Sequence, residues 1–193
     1  MNRLPVLLVL TFVGAACLPA AADVMRGDDP AAAADQLRHW QYAGEAEEAI
    51  AYLAPAAPGF VDRKSNATTR ENTARIGNGT YGFEILEGNV DGNAGCALVL
   101  AAWNDSDDGE ARVELFPFYM WRHEGVWKYL PNPTEYETWY QSVPDEMEPG
   151  YERLTTWLAS ARERHQQRLQ QPAESLIAEW QQAHRDRAPS TQP

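Results

Sequence analysis

The stretch from Thr80 to Pro131 most constrains what this chain can become. It reads "TYGFEILEGNV", "DGNAG", "CALVLAAWN", "DSDDG", "EARVELFPFYMWRH", "EG" and "VWKYLP" in succession. Runs rich in β-branched and aromatic residues alternate with short Gly- and Asp-bearing reversals. Asp91-Gly92 and Asp108-Gly109 both tolerate the positive φ of a tight hairpin. The pattern predicts four antiparallel strands in meander order.

Pro117 interrupts the third of these strands. A proline cannot donate to a ladder, so it predicts a bulge or an edge position there. Along that strand alternate side chains share a face, so Phe116, Phe118 and Met120 lie together and Tyr119 and Trp121 lie opposite. One face packs on helices, and the other also needs cover, because monomers rarely leave so large an apolar patch in water.

Two helical pieces precede the strands. Asp29 is placed to cap the first, with Pro30 at the first helical position. Ala33, Leu37 and Trp40 fall on one face at helical spacing. Gly44 ends or bends that helix, and Ala46, Ile50 and Leu53 continue the pattern until Pro55 and Pro58 stop it. Val61 to Asn78 is polar, rich in Asn, Thr and Arg, and without sustained period; it reads as a loop with room for a short strand.

After the strands, residues 132–150 form a Pro-rich acidic connector with several tyrosines and Trp139. Tyr151, Leu154, Leu158, Ala161 and His165 then recur at three and four, the stripe of an amphipathic helix. Pro172 breaks it, and Leu176, Ile177, Trp180 and His184 begin a shorter one. The helical extension spans 151–187, and 188–193 reads as a disordered tail. That extension either folds back on the sheet or docks on another subunit or protein.

The first 22 residues are of another kind. Arg3, the apolar run "LPVLLVLTFVGAACL" and small residues up to Ala22 read as a secretory signal cleaved before Asp23. The run is shorter than the roughly 20 residues a membrane-crossing helix needs. Export to a periplasm or the extracellular space is therefore expected. A competing reading anchors the chain by lipid at Cys17, although Gly14 stands where such signals usually carry Leu or Val. Cleavage after Ala22 leaves Cys96 as the only cysteine. Its apolar surroundings, "AGCALVLAAW", make it a buried, inert thiol rather than a reactive one.

The 193 residues suit one domain with an appendage, and 44% hydrophobic against 23% charged residues describes a chain that folds. From Asp23 to Gly150 there are 23 acidic and 9 basic residues, against 5 and 6 from Tyr151 onward. An acidic body repels phosphate backbones, so nucleic acid is not an expected partner.

Nothing in the sequence names a reaction. The histidines, His39, His123, His165 and His184, are dispersed, without the spacing of a zinc site. "DSDDGE" at Asp105 lacks the twelfth-position Glu of a calcium loop, where Phe116 stands. There is no phosphate-binding glycine loop and no nucleophile elbow, so no cofactor or metal is expected. Asn66, Asn78 and Asn104 occupy glycosylation sequons.

Two phrases carry a family resemblance. "DQLRHWQYAGEAEEAIAYLAP", through Trp40, Gly44-Glu45, Leu53 and Pro55, resembles the opening of nuclear transport factor 2-like domains, the group with ketosteroid isomerase-like and SnoaL-like proteins. "FYMWRHEGVWKYLP", through Arg122, Gly125, Trp127 and Lys128, resembles their closing hairpin. The resemblance spans Pro30 to Pro131 and implies an α+β fold: N-terminal helices packed in a curved antiparallel sheet, cone-like, with the C-terminal helices added. The domain boundaries expected are 23–131 for this body and 151–187 for the extension.

In ligand-binding and enzymatic members the cone's open end is a pocket, which assigns ligand contact here to Trp103, Phe118, Met120 and Trp127. Many members only bind or assemble. The expected function is an exported, noncatalytic module for a small apolar ligand or a protein partner. The alternative is a cofactor-free pocket enzyme, an isomerase or dehydratase working by acid and base. Asp62, Tyr81, Tyr119 and His123 are the groups available to it, and none matches a family catalytic residue. A homodimer is a further open expectation, and the added C-terminal helices prevent any carry-over of a known dimer arrangement.

Overall fold

The computed structural model describes residues 21–53, 62–104, 110–130 and 148–187, with the backbone alone at 62–65, 148 and 187. The chain is α+β. Helices α1 (Ala21–Arg26), α2 (Pro30–Tyr42), α3 (Ala46–Ile50) and α4 (Asp62–Gly77) come first. Strands β1 (Tyr81–Asp91), β2 (Ala94–Asn104), β3 (Ala111–His123) and β4 (Val126–Leu130) follow. Helix α5 (Glu148–His165), a 3₁₀ turn (Gln166–Gln170) and α6 (Ala173–Arg187) complete the order. The strands form one antiparallel sheet in the order β1-β2-β3-β4. Among the described residues no helix is long and apolar enough to cross a membrane.

Helix α2 starts and stops on its own local chemistry. The Asp29 carboxylate accepts from the Ala31 N–H at 2.8 Å, and Pro30 fills the first position. At the other end Gly44, at φ 80°, lets the Glu45 N–H reach back to the Trp40 carbonyl at 2.8 Å. Ala33, Ala34, Leu37 and Trp40 are buried as one stripe.

The segment expected as a loop between Val61 and Asn78 is instead the 16-residue helix α4. Its buried stripe is Thr69, Thr73 and Ile76, spaced four and three. Two members of that stripe are threonines, so a count of apolar residues misses it. The Thr73 hydroxyl donates to the Thr69 carbonyl at 2.8 Å, which lets the methyl group face inward. Arg70 grips Glu47 of α3 with two bonds of 2.7 and 3.1 Å.

Two reversals shape the sheet. Glu124 and Gly125, at φ 50° and 76°, make the two-residue turn between β3 and β4. Between β1 and β2 the reversal falls on Gly92 and Asn93, one residue beyond the expected pair, with Asp91 still paired to Ala94. Asp108-Gly109 lies outside the described residues. The bulge is not at Pro117: β3 holds register with β2 through Leu98↔Pro117, and the shift occurs in β1 between Ile85 and Glu87. Among the described residues Pro117 stands at an edge, since the ladder to β4 begins at Tyr119↔Leu130.

Strand β2 is buried from Ala94 to Ala102 because helices cover both faces of the sheet. On the inner face Ala97, Val99, Ala101, Phe83, Phe118, Met120 and Trp127 meet Met25, Ala33, Leu37, Trp40, Ala49 and Ile76 of the N-terminal helices. On the outer face Cys96, Leu98, Trp121 and Leu130 meet Leu154, Leu158 and Ala161 of α5. Further along that face Leu100 and Ala102 meet Ala173, Leu176, Ile177 and Trp180 of α6. The C-terminal helices thus cover the sheet of their own chain. Cys96 has no exposed surface, and burial pushes its thiol up to about 12, so it stays protonated.

Candidate functional site

Buried and half-buried aromatics of the inner face gather on one side of the sheet. Pleating sends Tyr81 and Phe83 of β1, Trp103 of β2, Phe116 and Phe118 of β3, and Tyr129 of β4 toward the N-terminal helices. Tyr52 arrives from the end of α3, where Leu53 bridges in parallel to Tyr129 and the Tyr129 N–H donates to the Tyr52 carbonyl at 2.8 Å.

The rings are packed in pairs. Phe118 stacks on Tyr129 with centroids 3.8 Å apart, and Trp40 stacks on Tyr52 at 5.0 Å. Tyr81 and Tyr42 each lean on Phe83, at 5.9 and 6.2 Å. Two cations flank the group. Lys128 Nζ lies 4.9 Å from the Tyr52 ring and donates to the Ala51 carbonyl at 2.9 Å. The Arg75 guanidinium lies 5.5 Å from the Tyr81 ring.

The three deep hydroxyls differ in their bonding. Tyr42 is locked: its oxygen accepts from the Phe83 N–H at 3.1 Å and its O–H faces the Phe83 carbonyl at 3.4 Å. Among the described residues no hydrogen bond holds the hydroxyl of Tyr81 or Tyr129. Burial pushes Tyr129 up to about 12. Tyr81 is raised further, by burial first and then by the neighbouring hydroxyls of Tyr129 and Tyr42. Both side chains keep some accessible surface although protein atoms crowd them. At neutral pH they are uncharged phenols, each able to donate one hydrogen bond and accept another.

Of the residues expected to touch ligand, Trp103 and Phe118 belong to this aromatic group. Met120 and Trp127 share the face, but neither has any exposed surface. Trp127 donates from Nε1 to the Gly27 carbonyl at 2.9 Å, lies under Arg122, and fills the space above Gly95. Both are core side chains. Tyr52 and Tyr129 were not expected at the site. Alternation along "VWKYL" could have placed Tyr129 with Trp127, whereas nothing local signals Tyr52.

The groups available for acid–base work are scattered. Tyr81 is on the inner face. Tyr119 lies on the outer face, edge-on to Tyr151 at 5.8 Å, its hydroxyl made less acidic by burial. His123 sits at the β3 end with its ring 4.5 Å from Trp121. Asp62 opens α4, and its side chain is outside the described set. Among the described residues no group of three or more His, Cys, Asp or Glu is placed to hold a metal ion.

A cleft of about 490 Å³ runs along the β1 margin between α2 and α6. Its charges are largely matched within the protein. Arg38 bonds Asp35 at 2.6 Å, and Glu84 accepts from Arg168 at 2.8 Å and from Trp180 at 3.1 Å. Such a cleft offers little unspent polarity to a ligand, whereas the hydroxyls of Tyr81 and Tyr129 do.

Comparison of the chain with protein-family models, curated proteins and solved structures finds no match. What the protein does must therefore come from the chemistry of these side chains themselves.

Proposed function

We propose that the protein is an exported, noncatalytic α+β module that holds a small, largely apolar ligand in the aromatic recess between the sheet and the N-terminal helices. The observation carrying this reading is the pair of buried phenols, Tyr81 and Tyr129, that keep accessible surface and lack hydrogen-bond partners among the described residues. Rings supply apolar contact, and the two hydroxyls supply polar specificity of the kind small-molecule sites use. The ligand this favours is apolar over most of its surface, with one or two neutral acceptor groups.

The alternative is an acid–base pocket enzyme, which needs a group that exchanges protons near neutral pH. Phenols pushed up in pKa remain protonated there, which favours binding. Protein-partner docking on the outer sheet face is disfavoured because α5 and α6 already cover it. Kinship with nuclear transport factor 2-like domains is part of this proposal, supported by helices lying against a meander whose inner face is aromatic. Export is part of this proposal and rests on the sequence of the first 22 residues alone; cleavage after Ala22 would trim two residues from α1 and keep the buried Met25 in the mature chain.

The test is titration with N-phenyl-1-naphthylamine, a neutral apolar fluorophore. Saturable binding is expected, weakened at least about tenfold in Trp103→Ala through lost aromatic contact. Absence of saturable binding, or binding indifferent to Trp103, would overturn the reading.

A further inference from the structure

From Ala111 to Phe118 strand β3 pairs with β2 on one side, and among the described residues no strand lies on its other side. The backbone groups on that open side can be assigned. The two-residue turn Glu124-Gly125 makes His123 and Val126 a hydrogen-bonded pair, so His123 and every second residue before it point N–H and C=O toward β4. The β2 register runs without a shift from Ala111 to Trp121. Ala111, Val113 and Leu115 therefore offer backbone donors and acceptors to the open edge. Pro117 shares their orientation, so its missing N–H costs the sheet nothing.

The edge is self-complementary. In an antiparallel ladder about a twofold axis at Val113, Arg112 stands opposite Glu114 of the second copy, and Glu114 opposite its Arg112. Both side chains are exposed in the single chain, where Arg112 is already partnered, Glu110 at 3.9 Å being one of its contacts, so that the pairing with a second copy exchanges one solvent-exposed partner for another. These are non-hydrogen-bonded positions, where opposed side chains come closest. On the other face Val113 meets Val113, and Ala111 meets Leu115. Val113 and Leu115 line a groove of about 510 Å³ with Leu169, one of the two exposed large hydrophobics among the described residues. Pro117 falls just beyond the last pair, Glu110 with Phe116, and so marks the ladder's end.

We propose that two copies of this chain pair antiparallel through the open edge of β3, with Val113 on the twofold axis, joining their four-stranded sheets into one of eight. About six backbone hydrogen bonds, two Arg112–Glu114 pairs and the apolar strip of Val113, Leu115 and Leu169 hold the interface. Opposite charges at 112 and 114 select this register, because a shift by one step on either side sets like charges or apolar and charged residues face to face.

Sedimentation equilibrium of the purified protein over a wide concentration range tests this, with circular dichroism to show that each variant is folded. The wild type is expected at twice the chain mass. Glu114→Arg and Arg112→Glu each place like charges at two contacts and raise the dissociation constant at least about tenfold. The double variant Arg112→Glu/Glu114→Arg restores the dimer. A wild type monomeric at every concentration, a dimer indifferent to Glu114→Arg, or a double variant that fails to restore association each overturns the proposal.

Discussion

The Trp127 indole donates to the Gly27 carbonyl at 2.9 Å, tying β4 to the link between α1 and α2 across 100 residues of chain. Arg122 reinforces the same link, with bonds of 2.6 Å to Asp28 and 2.8 Å to the Arg26 carbonyl. Trp127→Phe keeps most of the ring volume but leaves that carbonyl without its donor. It is expected to destabilise the protein by about 1–3 kcal/mol, seen as a lower urea midpoint at unchanged slope.

Gly95 faces the same indole. A Cβ built there comes within 2.8 Å of the Trp127 ring and 3.0 Å of the Pro30 Cβ. Gly95→Ala must move a packed tryptophan or a helix start, and is expected to cost about 1–3 kcal/mol in thermal or denaturant unfolding. The double variant with Trp127→Phe should cost less than the sum, because the smaller ring relieves the clash.

Glu87 joins β1 to the end of α5, accepting from Arg164 at 3.2 and 2.8 Å and lying 3.0 Å from His165 Nε2. The Arg164 bonds, above all, hold its carboxyl below the ordinary 4.5, with His165 adding to the effect. A depressed carboxyl contributes stability above its unfolded pKa and loses it as pH falls through the folded value. Below about pH 4.5 the wild type should therefore lose stability faster than Glu87→Gln, by no more than about 1 kcal/mol because the pair is partly solvated. Unfolding free energies at pH 7 and pH 3 for both proteins measure the difference.

Leu158 of α5 covers Cys96 and Leu98 on the outer face. Leu158→Ala is expected to cost about 2–5 kcal/mol and to raise the rate at which a thiol reagent labels Cys96 under native conditions. An unchanged labelling rate would mean that Cys96 is reached without opening this layer.

The parts legible in the sequence were those governed by local rules. Glu124-Gly125 announced its hairpin, Asp29 and Pro30 announced the start of α2, and the alternation of Phe116, Phe118 and Met120 gave their common face. Helix α4 escaped because two of the three positions in its stripe are threonines. The bulge near Leu86 escaped because no Gly or Pro marks it there, while Pro117 drew attention to a strand that needed none. At the candidate site, Trp103 and Phe118 could be reached from pleating alone. Tyr52 could not, since it depends on a bridge to Tyr129 formed between distant segments.

Among the described residues strand β2 separates two sets of packed side chains, and Tyr42 touches both at its margin. A change on one side reaches the other chiefly as movement of a single polypeptide thread. The two sides can consequently diverge under different pressures, one reshaping the surroundings of the tyrosines while the other keeps the sheet covered.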